Sequence, residues 1–202
     1  MGMGTMAVSI NLAFGLSACA GLSVIYLSLW PGKMAELPMD AIGSVRFWGP
    51  PLVLILIVLA AWDHRRPPRP IKVRHWLLLG ASPLLLIGSV FIAESDVPFR
   101  AAFRLARPGL EAAVPTAPSS GHDGSPLGRD FGPYLVDRYG ADPRGGVFFR
   151  VRTSPGGWGI DTMSYGFTFR PNAEGTPFGG ARYEVFPLGG DWYWFHASDD
   201  HY

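Results

Sequence analysis

Four side chains able to bind a cation stand within six residues of one another near Tyr202: His196, Asp199, Asp200 and His201. Imidazole and carboxylate ligands together suit zinc or a related divalent ion. His196, Asp199 and His201 are therefore the candidate metal ligands, and a membrane-anchored metal-dependent hydrolase is the enzymatic reading they permit. Against it, terminal segments fray and His-x-x-Asp-Asp-His is not a spacing with a mechanism behind it. The expectation is a solvated tail, with no catalytic residue and no cofactor assigned. His122 and Asp123 sit among Pro, Ser and Gly, where nothing would hold a catalytic pair still.

A second constellation is aromatic. Trp158, Trp192, Tyr193 and Trp194 could present a surface for sugars or peptides, because aromatic rings give large contact area at little rotamer loss. Packing inside the fold competes for the same rings. The pairs Gly145-Gly146, Gly156-Gly157, Gly179-Gly180 and Gly189-Gly190 are not followed by the Lys-Ser or Lys-Thr of a phosphate-binding loop. They read as turns between strands, where glycine supplies positive φ. A lone cysteine, Cys19, allows no intramolecular disulfide and no multi-thiolate metal site.

These groups must be positioned by a chain of 202 residues that is 48% hydrophobic and only 16% charged, with a formal charge of +1. That balance excludes an ordinary soluble enzyme, and it argues against a nucleic-acid partner, which calls for a strongly basic surface. The low charge is concentrated early: Met6 to Trp30 contains no Asp, Glu, Lys, Arg or His and is long enough to cross a bilayer. Phe47 to Trp62 and Trp76 to Ala93 read as two further spans, the second extensible through Ala41 to Val45 if Arg46 snorkels, the third bent at Pro83. Trp30, Trp48, Trp62 and Trp76 fall at span ends, as interfacial aromatics do.

Arg65, Arg66, Arg69, Lys72 and Arg74 crowd the connection between the second and third spans and place it in the cytoplasm by the positive-inside rule. The N-terminus is then cytoplasmic, and everything after Ala93 is extracytoplasmic. Lys33, Arg46, Arg100, Arg104 and Arg107 fall on the other side, so the weight rests on the shortness of the basic loop. Ala13, Ser17 and Gly21 form a small-xxx-small row that suits close helix approach, either within the chain or in a homo-oligomer.

Residues 94 to 113 read as an amphipathic juxtamembrane helix, with Phe99, Phe103, Ala106 and Leu110 on one stripe and Arg100, Arg104 and Arg107 beside it. Such a helix lies along the lipid interface or packs on the following domain. Pro108 and Gly109 should end or kink it early. Residues 114 to 130 are poor in apolar side chains and read as a flexible linker. Residues 131 to 202 form a small β-rich domain, with strands near Pro133 to Tyr139, Val147 to Thr153, Thr162 to Arg170, Ala181 to Phe186 and Asp191 to Ala197. The fold class is thus membrane α plus β: three transmembrane helices followed by a small antiparallel β-meander.

The runs GGVFFRV, DTMSYGFTFR with PNAEGTP after it, and PLGGDWYWF resemble a group of small, functionally uncharacterised actinobacterial integral membrane proteins with a Gly- and aromatic-rich C-terminal domain. The resemblance covers about seventy residues. It implies a multi-pass bacterial plasma-membrane protein and carries no activity or site residues with it. The leading expectation is a binding or interaction module displayed outside the membrane, with the lipid bilayer and an envelope or membrane protein as partners. The alternative is a helix-bundle subunit of a transporter or signalling complex.

Overall fold

A run of apolar residues as long as a bilayer is thick has only its own backbone to hydrogen-bond, so it folds as helix. In the computed structural model, which describes residues 3–31, 73–119, 123–155 and 162–199, helix α1 spans Met3–Leu27 and α2 spans Val73–Glu94. They belong to the first of two units, Met1–Ser28 with Leu37–Val97; the second comprises Leu29–Glu36 with Pro98–Tyr202. Among the described residues, two helical stretches, Ile10–Leu27 and Trp76–Glu94, are long and apolar enough to cross a membrane. The second expected span, residues 47–62, lies outside the described residues.

In the first unit α1 packs on α2 along small side chains. Ser17 and Gly21 on α1 and Ser82, Ser89 and Ala93 on α2 are buried. A Cβ added to Gly21 would stand 3.2 Å from Ser89 Oγ, so this member of the small-residue row is filled by α2 of the same chain. The Ser82 and Ser89 hydroxyls donate to the carbonyls of Leu78 and Leu86 in their own helix, which satisfies them without water. α2 continues through Pro83. Leu12, Leu16, Leu22, Leu77, Leu84 and Phe91 face outward.

The second unit is built by helix α3, Val97–Ala113, lying on one face of a six-stranded antiparallel sheet. A short 3-10 turn at Val114–Thr116 follows α3. The strands are β1 Ser125–Phe131, β2 Tyr134–Ala141, β3 Val147–Pro155, β4 Thr162–Phe169, β5 Ala181–Gly189 and β6 Trp192–Ser198. Their order is β1-β2-β3-β4-β6-β5. The expected meander therefore fails at its end, where β6 inserts between β4 and β5. The β4–β5 connection is long enough to skip a position, and the tight turn at Gly190-Asp191 forces β5 and β6 to be neighbours.

The segment expected as linker also differs, because residues 125–130 form most of β1. β1 is an edge strand exposed over most of its length, so it carries none of the apolar alternation by which strands are read. Its Pro126 and Gly128 are tolerated there, where pairing with β2 is irregular.

α3 does not stop at Pro108. Pro108 lies on the outer side, where the carbonyl of Arg104 that it leaves without an amide is open to solvent. Gly109 faces the sheet, and a Cβ there would come within 2.7 Å of the Phe131 ring. Gly132, at φ +58° in the β1–β2 turn, lies under the backbone of Leu105 and Ala106. Glycine at these two positions lets helix and sheet approach closely. The stripe Phe99, Phe103, Ala106 and Leu110 is buried against Phe131, Tyr134, Val136, Phe149, Phe167 and Trp192. Of the two roles open to this helix, its apolar stripe takes packing on the domain.

Trp30, expected at the lipid interface, belongs to this second unit. Its ring meets Tyr134 edge-on at 5.7 Å, and the Tyr134 hydroxyl donates to the Leu29 carbonyl. On the opposite face of the sheet, Phe148, Phe178, Phe195 and Ala197 form a smaller cluster, covered by the connection between β4 and β5. Asn172 pins that connection, accepting from the amides of Glu174 and Gly175 and donating to the Gly145 carbonyl. Beside it, Arg144 grips the buried carboxylate of Asp142 through two nitrogens.

Leu110 is 1% exposed beneath α3 while Leu105 is 73% exposed on its outer side. Leu110→Ala is expected to lower the stability of the domain by about 2–5 kcal/mol. Leu105→Ala should change it by less than about 0.5 kcal/mol. Thermal unfolding of the purified full chain, followed by tryptophan fluorescence, checks both.

Candidate binding surface

Cross-strand register gathers aromatic residues that are far apart in sequence. Tyr139 pairs with Phe149, Phe149 with Phe167, Phe167 with Trp194, and Trp194 with Phe186. Directly paired residues share a face, so these five side chains form one row across five strands on the side that carries α3. The helix closes the middle of the row: Phe103 lies 5.1 Å from Phe167 and Phe99 lies 6.0 Å from it, centroid to centroid. Toward the β5 edge the row emerges half-buried. There Phe186 and Trp194 stack face to face at 4.1 Å and 12°, and Phe99 meets Trp194 edge-on.

The neighbouring row continues the surface with polar groups. Tyr165 pairs with His196, and His196 with Glu184. The His196 ring is 5.9 Å from Trp194 and 5.7 Å from Phe186. His196 Nε2 stands 3.7 Å from a Glu184 carboxylate oxygen. The resulting patch has two stacked rings, an imidazole and an exposed carboxylate where β6 pairs with the outer strand β5. It can offer apolar contact area together with hydrogen-bond donors and acceptors.

The structure redistributes the residues singled out from sequence. Trp192 is buried beneath α3 at 1% exposure and belongs to the core. Tyr193 pairs with Thr168 and Pro187 on the opposite face, so it cannot join Trp194 in one surface. Trp194 is retained, half-buried. Strand alternation is the reason: consecutive residues point to opposite sides, so Trp-Tyr-Trp supplies no three-ring platform. Trp158 and His201 lie outside the described residues.

The same alternation divides the candidate metal ligands. His196 faces the α3 side, whereas Asp199 accepts a hydrogen bond from Ser164, whose strand position faces away. No cluster of three His, Cys, Asp or Glu side chains suited to a metal occurs among the described residues. Of the topology-determining basic residues, Arg74 is exposed at the start of α2, and Arg65, Arg66, Arg69 and Lys72 are outside the described residues.

Phe186 and Glu184 are the surface residues that sequence reading does not single out. Their signal is register. The β5–β6 ladder is interrupted between Pro187 and Gly189, where Leu188 is the extra residue. Counting back from the turn without this bulge would set Phe186 opposite Phe195, on the other face.

Compared with protein-family models, curated proteins and solved structures, the chain matches none.

Two ionisable groups at this end of the sheet report on burial with opposite signs. Burial holds the His196 imidazole below its ordinary value, opposed in part by Glu184. Burial pushes the Asp199 carboxyl up, against the pull of Ser164 and Arg150. For His196, the unfolded chain takes up a proton near pH 6.5 and the folded chain at lower pH. Its contribution is therefore full above pH 6.5 and is lost as the pH falls through the folded value. For Asp199 the contribution is full below pH 3.8 and is lost as the pH rises through the folded value. His196→Gln is thus expected to flatten the fall in melting temperature between about pH 7 and 5. Asp199→Asn is expected to raise the melting temperature at neutral pH and not below pH 3.8. Melting curves across this range check both signs.

Proposed function

We propose that the chain is a multi-pass bacterial plasma-membrane protein that displays the α3–sheet domain outside the cell as a binding module for an envelope or membrane protein. The observation that carries the binding role is the half-buried Trp194–Phe186 stack beside His196 and Glu184. It is the β5 end of the cross-strand aromatic row, where α3 leaves the rings half-buried. The sheet edges favour use of this face over strand addition. β1 has Pro126 and an irregular register, and β5 has Pro187 and an irregularity near each end. These features blunt an edge against pairing with another chain.

The membrane assignment is supported by the uncovered apolar surface of α1 and α2, of whose apolar windows 24% and 18% are buried. A helix in the core of a soluble protein would be covered on most sides. Chain connectivity supports the third span. Leu29 follows the first unit at the end of α1 and Pro98 follows it after α2, and both residues belong to the second unit. If both helices cross the bilayer, both deliver the chain to the same side. The intervening residues must then cross back, and 47–62 is the apolar run available for it. The resemblance to small actinobacterial integral membrane proteins agrees with this reading.

A testable sidedness goes with this reading. A reporter fused after Tyr202 should be accessible from outside intact cells, and a protease site placed within residues 63–75 should be protected. The reverse pattern would put the domain in the cytoplasm. For the binding role, a photo-crosslinking residue in place of Phe186 should give a discrete protein adduct in intact cells. A probe at exposed Leu135 should not, and Trp194→Ala should reduce the adduct at 186 several-fold. Identical labelling from positions 186 and 135 would remove the binding assignment.

A further inference from the structure

α3 has an outer surface that the sheet does not use. One flank carries Arg100 and Arg104, and neither has an ion-pair partner among the described residues. The next arginine along that flank, Arg107, is held by Glu111 at 2.7 Å. Val97, one turn before Arg100, shares that side at 63% exposure, and Leu105, at 73%, faces the other flank. Free guanidinium groups beside exposed aliphatic side chains on one helix are the pattern of a segment lying in the headgroup region of a bilayer.

Chain length supports the same occupant. The apolar window of α2 ends at Glu94, and α3 begins at Val97. Three residues of extended chain and the helical rise from Val97 to Arg104 reach at most about 20 Å. If α2 crosses the membrane, both arginines stay within a short distance of the lipid phosphates. Glu94 and Asp96, the acidic residues at the junction, already have interactions within the chain.

We propose that the outer face of α3 docks on anionic phospholipid headgroups, with Arg100 and Arg104 on phosphate and Val97 and Leu105 dipping below it. This rests on the membrane reading of α2. It differs from an ordinary interfacial amphipathic helix, because the larger apolar stripe is buried by the sheet and the docking surface lies on the other side. The arginines fix the domain at the bilayer by charge, and the contact is weakened by salt.

The test uses the full chain with Cys19→Ala, carrying an environment-sensitive fluorophore at Leu105→Cys and reconstituted in bilayers of phosphatidylcholine with or without phosphatidylglycerol. Leu135→Cys is the reference position. The expected result at 105 is a blue-shifted emission, quenched by headgroup-region quenchers only when phosphatidylglycerol is present and reversed by high salt. Each of Arg100→Gln and Arg104→Gln should lower the ratio of seated to free probe about fivefold at low salt. Emission at 105 matching that at 135 in anionic bilayers would overturn the proposal, as would seating that ignores lipid charge. A blue shift that persists without lipid would assign the surface to protein contact instead. Extraction of the protein by alkaline carbonate separates the two readings. An extractable chain defeats the membrane assignment itself, whereas an integral chain with an aqueous probe at 105 defeats the docking alone. Unchanged melting temperatures of the arginine variants keep a folding defect out of the comparison.

Discussion

Burial of one stripe of α3 against one row of aromatic side chains organises the second unit. Phe99, Phe103, Ala106 and Leu110 reach the sheet only because Gly109 and Gly132 bring helix and hairpin close enough. With no disulfide available, that contact is the main source of cohesion for a domain of this size. Arrangement of the strands follows from it. Phe149, Phe167 and Trp192, under the helix, set the middle of the sheet, and β1 and β5, at the edges, are tolerant of Pro and irregular pairing. The second cluster around Phe148, Phe178 and Phe195 seals the other side of the central strands.

The same contact also decides what the domain can present. A helix of this length covers part of a six-stranded sheet, and the aromatic row runs past it to Trp194 and Phe186. Its amphipathicity is therefore spent inward, and its outward surface carries exposed Val97 and Leu105 beside Arg100 and Arg104, which have no ion-pair partner among the described residues. In the first unit the small side chains at the α1–α2 seam do similar work by different means, since close backbone approach replaces interdigitation of large residues.

The strongly patterned elements were legible from sequence. α1 and α2 follow from uncharged apolar runs, and β2, β3, β4, β5 and β6 from short aromatic and β-branched runs between Gly- and Pro-containing turns. β1 was hidden because an exposed edge strand needs no apolar face. The continuation of α3 through Pro108 was hidden because the cost of proline depends on which side its orphaned carbonyl faces. Of the site, Trp194 was visible as a surface ring and His196 as a metal ligand, while Phe186 and Glu184 were not visible. Trp192, Tyr193 and Trp194 are adjacent in sequence, but alternation sends the middle one away and the helix covers the first. Separation of His196 from Asp199 has the same origin. Pairing of Phe186 with Trp194 depends on a bulge that composition does not announce.

That bulge leaves the β5–β6 hairpin with a choice of phase. Sliding β5 by one place would still give Phe186 an aromatic neighbour, Phe195 in place of Trp194, so the ring alone cannot select the observed alignment. Glu184 can. In the observed phase its carboxylate stands in solvent beside His196. In the slipped phase it would fall opposite Ala197, on the face occupied by Phe148, Phe178 and Phe195. An unpaired charge cannot be accommodated there at small cost. A single acidic residue on an outer strand thus acts as a phasing mark for the hairpin, admitting one alignment by making the other untenable.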